Sequence, residues 1–152
     1  MSRAAVYGAW QTLLAQAADF KVVEPRVRPW TKVDAVAEMP YLGATIGLER
    51  PQYLGRNNLP VAWSLQPVAT IYVAVLDPRA GTARDALCAV LDKLELVLRQ
   101  GVGAGKQQDL GLATVQWVKI DGDIITDEGS LKDGQLAAAS VPFEIKVSGN
   151  AI

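Results

Sequence analysis

The chain has 152 residues, half of them hydrophobic, and sets 15 lysines and arginines against 16 acids for a formal charge of −1; that suits one domain over residues 1–152 with its own core and excludes a sequence-independent grip on nucleic-acid phosphates. Histidine is absent, which removes Ser-His and Cys-His couples, His-ligated zinc and an imidazole base. No apolar run approaches the roughly 20 residues of a membrane helix, the N-terminus is too interrupted for a secretory signal, and the single cysteine, Cys88, has no internal partner, so a cytoplasmic product is expected.

From Ser2 to Ala18, residues Val6, Trp10, Leu13, Leu14 and Ala17 share a helical stripe, and Ser2 is the expected N-cap. A short strand is predicted from about Phe20 to Arg28, near an edge because Pro25 and Pro29 interrupt it. In "MPYLGATIGLE", Leu42, Ala44, Ile46 and Leu48 alternate with Tyr41, Gly43, Thr45 and Gly47, a second strand. Residues from about 49 to 66, rich in Pro, Asn and Gly, have no period and predict a long loop of functional character. Val68 to Leu76 is apolar on both faces, as in a central strand.

Thr82 to Arg99 carries the clearest helical stripe, Ala83, Ala86, Leu87, Val90, Leu91, Leu94, Val97 and Leu98, with Thr82 as cap and Gly101 as stop. In "LATVQWVKID" the alternation slips between Val115/Trp117 and Val118/Ile120, as a bulge requires, and Asp121-Gly122 signals a turn. The stretch "QLAAASVPFEIKV" places Ala137, Ala139, Val141, Phe143, Ile145 and Val147 on one face. Pro142 inside it predicts an edge strand or a bulge. The order predicts an α+β domain, two helices on one face of a mainly antiparallel four- to five-stranded sheet.

No motif carries evident catalytic chemistry. "GVGAGK", Gly101 to Lys106, lacks the leading glycine and trailing Ser/Thr of a phosphate loop, with Gln100 and Gln107 in those places, and comes after a helix. The acids Asp121, Asp123, Asp127, Glu128 and Asp133 lack the ligand spacing of a calcium loop and read as solvated hairpins. Cys88 has no histidine or cationic cluster to activate it and reads as a packed, inert thiol. Trp10 and Trp117 belong to patterned elements and are expected in the core; Trp30 and Trp63 lie in proline-bearing segments, as packing anchors or partner contacts.

The chain resembles the tail terminator proteins of long-tailed bacteriophages, the lambda minor tail protein U-like family. The resemblance spans nearly the whole chain and is carried by "MPYLGATIG", "ATIYVAVLD" leading into "ARDALCAVLDKLELVL", the Asp-Leu-Gly of "QQDLGLATV" and the closing "TDEGSLKDGQLAAASVPFEIKV". It implies a non-enzymatic virion protein without cofactor or metal. Such proteins form a six-membered ring on the last ring of the tail tube, stop its polymerisation and present the surface to which the head attaches, with DNA passing through the ring. The implied partners are further copies of the chain, the tube protein and a head completion or connector protein. Placement nominates Tyr53, Arg56, Asn57 and Trp63 for these contacts, then Arg26, Arg28 and Trp30, with Pro142 restricting strand addition to the geometry of a ring. A head-side connector protein, or a small metal-dependent enzyme built on the acidic segment, are the alternatives.

Overall fold

A computed structural model describes residues 2–55, 58–100, 107–127 and 135–149. The Ser2 side chain accepts a hydrogen bond from the Ala5 amide and starts α1 (Arg3–Ala15), which buries Val6, Tyr7, Trp10 and Leu14. Thr82 caps the Asp85 amide in the same way, and α2 (Ala83–Arg99) buries Ala83, Leu87, Val90, Leu94 and Val97. Both stripes meet one face of a six-stranded sheet and share a core with Leu42, Leu65, Ile71, Phe143 and Ile145. The α+β architecture is the expected one; the strand expected from about Phe20 to Arg28 is confined to β1 (Val22–Glu24), and the strand not foreseen is short β5 (Ile125–Asp127), which pairs with the last strand.

The other strands are β2 (Tyr41–Gln52), β3 (Ala62–Ala74), β4 (Val115–Ile120) and β6 (Leu136–Ser148). Their order is β1-β2-β3-β6-β4, with β5 also pairing β6, and among the described residues only the β1–β2 pair is parallel. In β6 the odd-numbered residues from Ala137 to Val147 are buried, as the alternation requires.

The position of β6 corrects the edge-strand expectation: it is interior, flanked by β3 on one side and by β4 and β5 on the other. Pro142 is tolerated there for a local reason. Ile120 pairs Phe143 and Ile125 pairs Ser140, so Pro142 falls in the interval between β4 and β5. Its carbonyl accepts from the Asp121 amide at 3.0 Å, and its ring nitrogen faces the same side, where no strand requires a donor. The bend at Asp121-Gly122 therefore does not reverse the chain; β4 and β5 run in the same direction along β6.

The long loop also contracts. β2 continues through Gln52 and β3 begins at Ala62, so the connection is residues 53–61 instead of 49–66. Prolines hid these strands from pattern reading. Pro51 lies where β2 has no outer neighbour among the described residues, since β1 pairs Tyr41 to Gly43, and Pro67 opposes a shift in register between Thr45 and Leu48. Gly47 sits in that bulge because a Cβ there would lie 1.9 Å from the Gln66 carbonyl oxygen. The bulge also turns Leu48 to the other face: Leu42 and Ala44 are buried, whereas Leu48 is 75% exposed. The register slip at Val115/Trp117 is present as expected.

Candidate interaction surface

One sheet face is covered by the helices, and the other is divided. Over its first half, the segment 25–40 crosses the sheet and packs Trp30, Val33 and Met39 against Tyr41, Tyr72 and Leu136. Over its second half the side chains of Leu48, Gln66, Val68 and Pro142 surround a shallow recess of about 210 Å³. Ile125, 69% exposed, lies beside it on β5, on the same face as its partner Ser140.

The covering segment is held by a polar clasp. Arg28 donates from Nε to Glu24 at 2.7 Å and from its terminal nitrogen to Glu38 at 2.6 Å, and its guanidinium lies over the Tyr41 ring. Tyr41 donates its hydroxyl to Glu24 at 2.5 Å and stacks on Tyr72, whose hydroxyl donates to the Arg28 carbonyl at 2.8 Å. The Tyr41 hydroxyl first and Arg28 second hold the Glu24 carboxyl below its ordinary value. Arg28 first, then the Asp34 amide, do the same for Glu38. Burial first, and then Glu24, pushes the Tyr41 hydroxyl up.

The open half has a second network. Ser64 Oγ and the Trp117 indole nitrogen donate to Glu144 at 2.8 and 3.0 Å. Burial opposes ionisation of Glu144, but these donors and the nearby Lys119 and Lys146 outweigh it and keep its pKa low. Both ammonium groups stand over the Trp117 ring, and Lys146 also donates to Gln52. Trp117 is thus on the open face and not in the core with Trp10, because the bulge at Val115/Trp117 turns it outward.

The nominated residues do not form one site. Arg28 and Trp30 are spent on the clasp and the covering segment, and Arg26 is exposed with its carbonyl bonded by Tyr41. Trp63 pairs with Pro51 in the sheet, under the Arg3 guanidinium, which makes it a packing residue. Tyr53 is 55% exposed at the end of the arm formed by β2 and β3, and Pro142 lines the open recess. Arg56 and Asn57 lie outside the described residues, as do Gly101 to Lys106, Glu128 and Asp133.

The residues missed are Leu48, Leu54, Leu59 and Ile125, all large, apolar and at least 69% exposed. Gly47 beside Leu48 was the available signal for outward turning, since an isolated glycine in a strand pattern marks a bulge. Cys88 is exposed and not packed. Among the described residues no group of three or more His, Cys, Asp or Glu could hold a metal ion, and no helix is long and apolar enough to cross a membrane.

The fold and its divided sheet face define an α+β domain with an uncovered surface. No family model and no curated protein matches the chain. Among solved structures it is similar to a chain from the virion of a native gene transfer agent particle, with a TM-score of 0.49 and 15% identity over 95% of this chain and 92% of that one.

Proposed function

We propose that this chain is a non-enzymatic structural protein of a phage-like virion, a tail terminator. In this reading it forms a ring of six on the head-proximal end of the tail tube, stops tube growth and offers the surface that joins the head. Its partners are other copies of itself, the tube protein and a head completion protein, and DNA passes through the ring. The sequence patterns of "MPYLGATIG" and "TDEGSLKDGQLAAASVPFEIKV" support the assignment by resemblance.

The observation that carries it is the placement of exposed apolar side chains. Tyr53, Leu54 and Leu59 project at the end of the β2–β3 arm, with Leu48 on the open face below. Uncovered apolar groups gathered in one region mark a surface that another protein covers, and a head-to-tail contact between copies closes into a ring when its rotation allows. The test is addition of the purified protein to growing tubes of the cognate tube protein. Capped tubes that no longer elongate and that join heads are expected, and Tyr53→Ser/Leu54→Ser/Leu59→Ser is expected to lose capping with an unchanged melting temperature. Continued elongation at saturating wild-type protein would defeat the terminator reading.

A further inference from the structure

α1 carries a glycine, Gly8, in its middle turn, where glycine costs about 1 kcal/mol relative to alanine. Nothing inside the chain requires it, since a Cβ at Gly8 would meet no atom within 4 Å. Gly8 instead forms part of the wall of a recess of about 220 Å³ between α1 and the β2 bulge, with Ala4, Tyr7, Trp10, Pro25 and Ile46 among its lining. The recess is mostly apolar, and Ile46 is 66% exposed on its strand side.

Two independent features indicate that this recess awaits a polypeptide. Trp10 is 1% exposed, yet among the described residues its indole nitrogen has no hydrogen-bond partner, whereas the Tyr7 hydroxyl faces Glu49. Buried donors of this kind are uncommon and call for an acceptor. Tyr7 lies near Glu49, whose carboxylate is engaged by Arg3 at 2.7 Å. The adjacent outer edge of β2 is also unpaired beyond Gly43 among the described residues, so its backbone can take an added strand.

We propose that the recess beside Gly8 receives the apolar end of the β2–β3 arm of a second copy of this chain, with Leu54 as the leading side chain. The same molecule displays both halves of the contact: Leu54 and Leu59 are 73% and 72% exposed on the arm, and the recess that would cover them is half a strand away, at the bulge. Arm and recess are different surfaces, so the contact is head-to-tail and propagates from copy to copy. An extended arm segment supplies a carbonyl acceptor for the orphaned Trp10 donor, and the missing side chain at Gly8 lets its backbone come close to α1. The inference rests on the ring reading and specifies which surfaces meet.

Disulfide trapping tests it. In a Cys88→Ser background, Gly8→Cys protein is mixed with Leu54→Cys protein under mild oxidation, with Gly8→Cys plus Glu95→Cys on the outer side of α2 as control. A crosslinked dimer in the first mixture and none in the control is expected, since a disulfide needs Cα atoms within about 7 Å. Crosslinking no stronger than the control overturns the docking. In sedimentation velocity, Gly8→Arg is expected to weaken self-association by at least about tenfold at an unchanged melting temperature, and association equal to wild type overturns the docking as well. A discrete ring without the crosslink removes this contact and leaves the terminator reading intact, whereas failure in the tube-capping assay removes that reading itself.

Discussion

The two halves of the sheet face away from the helices are built on the same three long strands and differ in what lies over them. In the covered half, the outward positions are Tyr41, Tyr72 and Leu136 beneath Trp30, Val33 and Met39. In the open half, the equivalent positions along β2, β3 and β6 are Leu48 and Arg50, Ser64 and Gln66, and Glu144 and Lys146. Aromatic rings bury large areas when a cover is present, while Gln, Lys and Arg keep polar ends in water with their stems on the sheet. The alternation of β3 and β6 is thus the same from end to end, that of β2 resumes one residue out of step after its bulge, and the chemistry of the outward residues records whether a cover exists. Leu48, Val68, Pro142 and Ile125 are the exceptions in the open half, which is why they stand out as contacts for another molecule.

Truncation on the covered half breaks this contrast most strongly. Tyr72→Ala removes a buried ring stacked 5.3 Å from Tyr41 and the bond to the Arg28 carbonyl, and a loss of about 3 kcal/mol in chemical denaturation is expected. Acid comes next, and in the cover it acts through the clasp. Glu24 and Glu38 have folded-state pKa values below their unfolded ones, so their contribution is complete at neutral pH and is lost as the pH falls below about 4.3 toward the folded values. The Trp30 indole resonance is expected to shift over that window, and Arg28→Met to flatten the response; a flat wild-type profile would contradict the clasp. The smallest effect belongs to the open half, where Gln66→Ala is expected to change stability by no more than about 0.5 kcal/mol.

Much of the fold was legible because the signals are local. Helix stripes, both N-caps, the buried face of β6 and the slip at Trp117 come from periodicity and capping chemistry alone. The interior position of β6 was not legible, because a proline marks an absent donor without saying which neighbour is absent; only the interval between β4 and β5 explains Pro142. The ends of β2 and β3 were obscured by Pro51 and Pro67, each lawful for a reason that lies on another strand or at a free edge. Of the nominated contacts, Arg28, Trp30 and Trp63 were drawn inward by partners distant in sequence, Glu38, Tyr72 and Arg3. Exposure of Leu48 depended on a one-residue change of register that reverses every later side chain.

Strand β6 has a kinetic meaning as well as a structural one. It is the shared neighbour of β3, β4 and β5, and its contacts span long intervals, 80 residues for Ser64 with Glu144. During synthesis, β2 and β3 can form their arm as soon as both have emerged, but the sheet has no centre until Leu136–Ser148 is made. Pairing across such intervals is slow relative to hairpin closure. Throughout that delay β3 presents a bare inner edge and the helices lack half their floor, so the nascent chain is most open to mispairing just before its sheet is completed.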